Sequence, residues 1–229
     1  MQEEQSTVVP RAEVGVVERA FGSVRLVEAN VSVGGAWLME PRQRDVQVCS
    51  CEMMEHAQDG CGDGCMNCAM RYECTKETCP CGAECLNRQM QVGSTVATGG
   101  IDCGRKGVGV IALEDVDIGG FIGEYVGEVL TGIEAVMRCQ LYLGNRHFYM
   151  LQLSHDRVID ATRFGGRLRF INHACTPNCR LEKWNIRGQE RCGVFTIRPV
   201  HAGVTSCYSS CPTRWANRIV YVPAALFCP

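Results

Sequence analysis

The chain lacks any long apolar run. No part of its 229 residues reaches the roughly 18 consecutive apolar residues that a membrane-spanning helix needs. Its first residues, Met1–Gln5, lack the basic start and apolar segment of a secretory signal peptide. Excess positive charge is missing too, since 23 Lys and Arg against 25 Asp and Glu leave a formal net charge of −2. We therefore expect a globular chain of one or two domains that has no membrane partner and does not hold nucleic acid by bulk positive charge.

Acidic residues are absent from the end of the chain. All 25 Asp and Glu precede Arg191, and the segment from there to Pro229 also lacks a clear strand or helix period. A shift in composition of this kind marks a domain or sequence boundary. The end of the chain is therefore interpreted either as a divergent terminus or as a segment that does not derive from the same reading of the gene.

Cysteine is the residue present in excess. Nine of the 17 cysteines lie between Cys49 and Cys85. Such density is typical either of a secreted disulfide scaffold or of an intracellular zinc cluster. Because no signal peptide precedes it, we favour zinc.

The spacing of these cysteines fits zinc chemistry. Zn²⁺ takes four tetrahedral ligands, and short spacings let one loop supply two of them. The block from 46 to 90 has little apolar material for a core, so metal would have to hold it folded. The candidate ligands are Cys49, Cys51, Cys61, Cys65, Cys74, Cys79 and Cys85. Spacing alone leaves the number of ions open.

Apolar patterning predicts mostly strands after Lys106. Residues 107–113 and 121–130 indicate strands, and residues 132–143 have helical spacing. Two hairpins are predicted as well. They pair 147–153 with 157–160, and 180–184 with 191–198 around a turn at 185–190. Residues 1–45, a lead-in of unknown role, contain valine-rich stretches that we interpret as weak strands.

The cysteine block resembles the AWS region, a zinc segment that precedes some SET domains. Shared patterns are Cys-x-Cys, a Gly-Cys-Gly run, Glu-Cys, and Cys-Pro-x-Gly-x-x-Cys-x-Asn, all within 46–90. The resemblance implies two zinc ions that share Cys61. One ion would bind Cys49, Cys51, Cys61 and Cys65, and the other Cys61, Cys74, Cys79 and Cys85. Cys68 and Cys81 are then either spare thiols or exchangeable ligands.

Segments after Lys106 resemble, in order and spacing, the motifs of SET-domain protein-lysine methyltransferases. They are a glycine loop at 106–109, Glu-Tyr-x-Gly-Glu-Val at 124–129, an aromatic strand at 147–151, Ile-Asp-Ala at 159–161, and Arg-Phe-x-Asn-His-x-Cys-x-Pro-Asn-Cys at 169–179. The resemblance covers 46–203 and implies a mostly β fold with short helices, several small sheets and a knot-like core. The SET domain itself is expected over 91–203.

The resemblance implies S-adenosylmethionine as cofactor and methyl transfer to a lysine amine as the reaction. The implied cofactor-binding residues are Lys106, Gly107, Val108, Gly109, His147, Phe148, Tyr149, Arg169, Asn172 and His173. A narrow aromatic channel would strip water from the lysine and align its neutral amine. The channel candidates are Tyr125, Phe148 and Tyr149. Taken alone, a histidine such as His173 is more often a satisfied buried residue than part of a site.

An AWS region followed by a SET domain is the arrangement of histone H3 methyltransferases of the Ash and NSD type. The implied partner is the histone H3 tail in a nucleosome, and the implied location is the nucleus and chromosome. Acidic residues within 114–134 form either a solvated face or a groove for a basic tail. The stretch 163–191, with seven Lys and Arg against two acids, is predicted to contact nucleosomal DNA phosphates.

The family pattern breaks after Gly203, so residues 204–229 are interpreted as an atypical tail that replaces the end of the SET domain. The family continues with Glu-Leu-Thr-Tyr/Phe-Asp-Tyr, whose last tyrosine lies beside the methyl donor. With this motif aligned on residues 205–210, Tyr208 takes the first aromatic position and Ser210 the catalytic one, whereas a slip in register would bring Tyr208 to the catalytic position. In the family, a further cysteine segment binds a third zinc together with the cysteine that corresponds to Cys175. Cys211 and Cys228 do not reproduce that segment. Three interpretations stay open: an active enzyme, a non-catalytic chromatin- or partner-binding module, and an incomplete gene product.

Overall fold

The fold is described from a computed structural model of the chain. The described residues are 11–36, 48–51, 61–62, 64–77, 79–142 and 149–208. Predictions made for His147, Phe148, Ser210 and the tail beyond Tyr208 lie outside these ranges. Among the helices within them, none is both long enough and apolar enough to span a membrane.

Strands dominate the described part of the chain. Its helices are α1 (Arg11–Gly22), α2 (Met66–Ala69), α3 (Gln89–Val92) and α4 (Gly132–Leu141), with 3-10 turns at Gly82–Glu84, Gly104–Lys106 and Arg167–Phe170. Its strands are β1 (Arg25–Leu26), β2 (Val31–Ser32), β3 (Thr98–Asp102), β4 (Val108–Ala112), β5 (Phe121–Glu124), β6 (Gly127–Thr131), β7 (Met150–Gln152), β8 (Arg157–Gly165), β9 (Asn172–His173), β10 (Cys179–Ile186), β11 (Gln189–Thr196) and β12 (Thr205–Tyr208). The predicted mostly β class with short helices is confirmed.

Two sheets carry the fold. The first has the order β1-β8-β6-β2, and β7 also pairs with β8. The second has the order β3-β4-β12-β10-β11-β5, and β9 also pairs with β12. In the second sheet, the last described strand, β12, therefore lies between β10 and β4, and β4 comes from much earlier in the chain. This insertion determines where the candidate site forms.

Both predicted hairpins are present. β7 pairs antiparallel with β8, with Met150 opposite Asp160 and Gln152 opposite Val158. The second hairpin is longer than expected, since β10 and β11 pair from Cys179↔Thr196 to Ile186↔Gln189. Its turn consists of Arg187 and Gly188, both with positive φ (52° and 80°). The six-residue turn predicted at 185–190 was therefore wrong, because a two-residue turn with two positive φ angles matches the twist of the strands.

The strand predicted over 121–130 divides into β5 and β6. The break falls at Tyr125 and Val126, where the chain passes from the second sheet to the first. The helix predicted over 132–143 is confirmed as α4. Thr131 caps its first turn, with its Oγ1 accepting a hydrogen bond from the Glu134 amide at 3.3 Å.

The lead-in was only partly predicted. Val14–Val17 lie in helix α1 and not in a strand, although β1 and β2 do form from the following residues. Val17, Ala20 and Phe21 recur at helical spacing, and this face packs on the second sheet: a Cβ added to Gly100 would lie 2.7 Å from the Phe21 ring. The β-propensity of valine misled the prediction because tertiary packing outweighs local propensity.

Candidate active site and zinc cluster

The glycine loop at the start of β4 is open and adopts a special backbone conformation. Gly107 has φ +75°, and an added Cβ would meet nothing within 4 Å. Gly109 has the opposite constraint, since a Cβ there would lie 2.5 Å from Cys103 Sγ and 3.0 Å from Asn172 Nδ2. The loop therefore needs one glycine for conformation and another for close approach. Lys106, before them, is exposed.

The Asn-His segment lies beside this loop. Asn172 Nδ2 donates to the carbonyl of Val108 at 3.2 Å, which ties the two predicted cofactor segments together. His173 is exposed, so the expectation of a buried, satisfied histidine does not apply to it. Its ring meets the Tyr208 ring edge-on at a centroid distance of 6.2 Å. An exposed imidazole beside an open glycine loop has the accessibility that a cofactor-binding residue needs.

From the sequence we expected that this chain would not form the family's strand after Gly203. Strand β12 nevertheless forms after Gly203. It runs parallel to β9, with Cys207 opposite Asn172 and Tyr208 opposite His173, and antiparallel to β4. Residues 205–208, which the break in the family pattern placed in the tail, thus form a strand of this sheet. Their strand conformation has a physical reason. Backbone hydrogen bonds do not depend on side-chain identity, and the alternation of buried Ser206 and Tyr208 with less buried neighbours suits a strand.

Asn178 pins this strand, a role that the sequence did not reveal. Its Nδ2 donates to the carbonyl of Thr205 at 2.9 Å, and its Oδ1 accepts from the amide of Cys207 at 2.8 Å. Its side chain is buried. The Pro-Asn-Cys motif contained the residue but gave no sign of its partner.

Tyr125, Tyr149 and Arg169 come together on the inner side of the site. The Arg169 guanidinium lies 3.8 Å from the centre of the Tyr149 ring. Tyr125 is buried and Tyr149 half-buried, and both belong to one apolar cluster with Leu151 and Ile159. Burial lowers the pKa of Arg169, while the nearby tyrosines act to raise it. A guanidinium against ring faces is a favourable cation–π arrangement that also orients the Tyr149 ring.

A buried hydrogen-bond network holds the backbone of Tyr149 through Thr162. Asp160 accepts from Arg138 and from the Tyr142 hydroxyl, each at 2.9 Å, and also from the amide of Thr162 at 2.9 Å. The Thr162 hydroxyl in turn accepts from the Tyr149 amide at 3.0 Å. Sequence motifs marked Asp160 but not its partner Arg138, which lies on α4 and meets it only through folding.

The cysteines of the first block form one buried cluster. Cys49 and Cys61 have their Sγ atoms 3.3 Å apart, as do Cys61 and Cys79. Two groups of four have all their Sγ atoms within 4.8 Å of one another: Cys49, Cys61, Cys65, Cys74, and Cys61, Cys74, Cys79, Cys85. The second group is the one expected. In the first, Cys74 stands where Cys51 was expected, so the ligand role of Cys51 stays a prediction.

The surroundings of the cluster fit a cation. Burial acts to raise the pKa of Cys49, but hydrogen bonds from Cys51 and other thiols outweigh it and bring that pKa to about 7. Burial and hydrogen bonds with Cys79 and Cys49 raise the pKa of Cys61. The clustered thiols thus cannot all ionise without a compensating charge, which a metal supplies. Asn67 and Asn87 direct amide donors at Cys74 Sγ (3.5 and 3.4 Å), as outer partners of a metal thiolate do.

The remaining thiols are placed as follows. Cys81 is buried, with its Sγ 3.5 Å from that of Cys61, whereas Cys68 is half-buried at the edge of the cluster. Cys175 is exposed near β9. Cys211 and Cys228, which do not reproduce the family's third-zinc pattern, lie outside the described residues.

Comparison with protein families matches both domains. The family model for the AWS domain matches residues 56–92, and that for the SET domain matches residues 107–209. The SET match extends beyond the expected end at 203 and includes β12, in agreement with the sheet order.

Curated relatives carry the same class of name. The chain is 40% identical over 157 residues to "Histone-lysine N-methyltransferase ASHH1" of Arabidopsis thaliana, covering 67% of this chain and 32% of that protein. It is 36% identical over 191 residues to human "Histone-lysine N-methyltransferase SETD2", covering 78% and 7%. It is 30% identical over 199 residues to human "Histone-lysine N-methyltransferase, H3 lysine-36 specific", covering 82% and 7%.

The chain thus spans about a third or less of the length of these three relatives. In this chain the AWS match precedes the SET match. The open glycine loop and the adjoining Asn-His segment lie within the SET match, and most of the buried thiol cluster lies within the AWS match. The chain belongs to the AWS–SET family of histone-lysine methyltransferases, of the Ash and NSD type.

Proposed function

We propose that this chain is an S-adenosylmethionine-dependent protein-lysine methyltransferase that acts on the histone H3 tail. The observation that carries the proposal is the pairing of β9 with β12 beside β4. This pairing brings the glycine loop, Asn172 and His173 to one accessible edge. Because two relatives are named for H3 lysine 36, that lysine is the proposed target, in nuclear chromatin.

S-adenosylmethionine would supply an electrophilic methyl group on a sulfonium. Lys106, Gly107, Val108 and Gly109 would line its site from one side. Asn172 and His173 would line it from the other, with Tyr149 and Arg169 at its inner end. In this arrangement Gly107 leaves room for a ligand, and the Asn172–Val108 hydrogen bond holds the two sides at constant separation. His147 and Phe148 complete the proposed set from the sequence.

Tyr125 and Tyr149 would form the lysine channel, together with Phe148. Ring faces exclude water from the lysine side chain while tolerating its charge before and after transfer. Desolvation favours the neutral amine that the reaction needs. Arg169 against Tyr149 and the Asp160–Thr162 contacts would keep the channel wall fixed.

We propose two zinc ions in the cysteine cluster. Cys61, Cys74, Cys79 and Cys85 would hold one ion. Cys49, Cys51, Cys61 and Cys65 were expected to hold the other, and the position of Cys74 makes it a competitor of Cys51. Zinc here would be structural, since all four ligands of a closed site are protein thiolates.

We further propose that methyl transfer is impaired because Ser210 stands at the position of the family's catalytic tyrosine. Tyr208 lies in β12, opposite His173 of β9. It is 4% exposed and packs in a core cluster with Phe170 and Cys179. This placement supports the alignment with Tyr208 at the first aromatic position and argues against Tyr208 as a catalytic substitute. A serine hydroxyl has neither the ring nor the reach to act in its place.

The decisive experiment measures methyl transfer to recombinant nucleosomes by the wild type and by Ser210→Tyr. We expect a weak wild-type rate that rises about tenfold or more in the variant, because one positioned aromatic group is restored. Ser209→Tyr is the matched control and should not raise the rate. A robust wild-type rate would refute impairment. Failure of all three proteins to bind S-adenosylmethionine in calorimetry would refute the enzyme assignment.

A non-catalytic chromatin-binding module is the second candidate, favoured by the serine at 210. It predicts nucleosome binding without cofactor binding. Only part of the acidic run considered as a groove for a basic tail, namely Glu114, Asp115 and Asp117, is exposed and not paired with an arginine among the described residues. Glu128 and Glu134 pair with Arg138, and Glu124 pairs with Arg191, so these carboxylates are used within the fold.

Contact with nucleosomal DNA is proposed for a smaller set of residues than the sequence indicated. Within 163–191, Arg169 is buried, while Arg180, Arg187 and Arg191 pair with carboxylates. Arg163 and Arg167 are exposed and are the residues we propose for phosphate contact. Charge reversal at both should weaken nucleosome binding and reduce its salt dependence.

A further inference from the structure

Asn30, in the lead-in, bridges two ends of a segment that carries a proposed channel residue. Its Nδ2 donates to Glu124 Oε1 at 3.0 Å, and its Oδ1 accepts from the Gly127 amide at 3.0 Å. Glu124 and Gly127 flank Tyr125 and Val126, where the chain crosses between the sheets. Asn30 lies outside both family-model matches, at 56–92 and 107–209.

Glu124 is held from a second side by Arg191. The Nε of Arg191 lies 2.9 and 3.0 Å from the two carboxylate oxygens, and its Nη2 also contacts Oε2. The same Nη2 donates to the carbonyl of Met90 in α3 at 3.2 Å. The Glu124 side chain is only 9% exposed, so its ion pair is less screened than a surface pair. The lead-in, α3 and β11 therefore converge on the residue before Tyr125.

The crossing segment has little freedom elsewhere. The Tyr125 amide donates to the carbonyl of Cys192 at 2.8 Å, and the Gly166 amide donates to the carbonyl of Val126 at 3.1 Å. A Cβ on Gly127 would lie 2.6 Å from the carbonyl oxygen of Asp160. Ala36, from the end of the lead-in, packs in the same buried cluster as Tyr125.

We propose that Asn30 is a positioning residue that, with Arg191, clamps Glu124 and thereby fixes Tyr125 for lysine binding. The lead-in is then part of the catalytic unit, and a fragment that starts at the cysteine block would lose the clamp. The catalytic aspect rests on the proposed function, whereas the clamp itself does not. Asn30 acts through the backbone from Glu124 to Gly127 and does not touch the lysine.

The test compares Asn30→Ala and Asn30→Asp with Asn185→Ala in the full chain. Asn185 is the matched control because its Oδ1 accepts one hydrogen bond, from Gly188, in the β10–β11 turn. Amide hydrogen exchange of peptides covering 124–128 should rise about tenfold in Asn30→Ala, since local opening becomes easier. Exchange of these peptides should not change in the control. Asn30→Asp keeps the acceptor for Gly127 but replaces the donor to Glu124 with a second carboxylate, so it should not restore the protection.

Kinetics test the catalytic aspect on the Ser210→Tyr background. We expect kcat for an H3 peptide to fall about tenfold in Asn30→Ala, because a small displacement of an aligned group is costly. The dissociation constant of S-adenosylmethionine should stay the same. Unchanged exchange at 124–128 would overturn the clamp, and increased exchange with unchanged kcat would overturn its catalytic role. If the background enzyme transfers no methyl group, the proposed function fails, and exchange alone decides the clamp.

Discussion

The zinc region, which we define as the described residues between Cys49 and Val92, and the sheet domain, residues 98–208, are stabilised in different ways. In the described part of the zinc region, the helices α2 and α3 have four residues each and the main buried cluster consists of cysteines. The sheet domain buries branched side chains such as Val110, Val129 and Ile159. Hydrophobic burial is spread over many contacts, whereas metal binding depends on a few ligands. Loss of a single ligand should therefore unfold the zinc region, whereas loss of a single apolar contact should only partly destabilise the sheet domain.

The two regions are nevertheless joined. Glu73, next to Cys74, accepts hydrogen bonds from the amides of Met90 and Gln91 at 2.6 and 3.1 Å. Met90 packs with Trp184 and Phe195 of the sheet domain. Loss of metal should loosen this joint before it disturbs the distant strands.

The largest effect is expected from Cys61→Ser. Cys61 belongs to both groups of four thiols, so its loss removes a ligand from both proposed ions. Structural zinc contributes on the order of 10 kcal/mol or more of folding free energy in zinc-finger peptides. Zinc content measured by mass spectrometry should fall from two ions per chain to one or none, with increased hydrogen exchange confined mainly to the zinc region. Cys68→Ser is the control and should keep both ions, so its loss of zinc would contradict the ligand set.

The next effect tests the sheet domain alone. Arg138 lies between Glu128 and Asp160, at 2.6 and 2.9 Å, and Asp160 is fully buried. Arg138→Met leaves both carboxylates without their cation and should destabilise the fold by about 3–5 kcal/mol in denaturant unfolding. Zinc content should not change. Glu134→Gln removes only the more exposed arm and should cost less than about 1 kcal/mol. Equal losses in the two variants would disprove the central role of the buried pair.

A smaller effect is expected where β12 joins the sheet. Asn178→Ala removes both side-chain hydrogen bonds to Thr205 and Cys207 and should cost about 1–3 kcal/mol. Because β12 lies beside Asn172 and His173, binding of S-adenosylmethionine in calorimetry should weaken more than stability alone explains. Unchanged cofactor binding in the variant, at a temperature where it is folded, would show that β12 does not shape the site.

The smallest effect concerns an exposed ion pair between the two regions. Arg187, in the β10–β11 turn, lies 3.2 Å from Glu77 in the zinc region. Both side chains are more than half exposed, so water and salt screen the pair. Glu77→Gln should leave the thermal unfolding midpoint and zinc content unchanged. A clear loss of zinc would mean that this contact, and not the Met90 contacts, joins the regions.

The segments with clear apolar periodicity or turn residues were the most predictable parts of the chain. α4 and the β7–β8 hairpin form where periodicity and turn residues predicted them, because local spacing decides which face is buried. The lead-in was harder, since Val16 and Val17 favour strands locally but lie in a helix that packs on β3. No local signal connects Asn30 to Glu124 or Asn178 to β12, because each pair is far apart along the chain and meets only in the folded state.

The sequence by itself determined the family, the thiol-rich zinc region and the residues proposed to contact S-adenosylmethionine, because these depend on residue types at fixed short spacings. Tertiary structure alone decided that residues 205–208 form a strand between β4 and β10, despite the departure from the family pattern after Gly203. It also decided that Glu124 and Glu128 of the acidic run form internal ion pairs and that Cys74 belongs to both thiol groups. The physical reason is the same in each case: strand pairing, charge neutralisation and metal geometry depend on distances in space between residues that are distant in the chain.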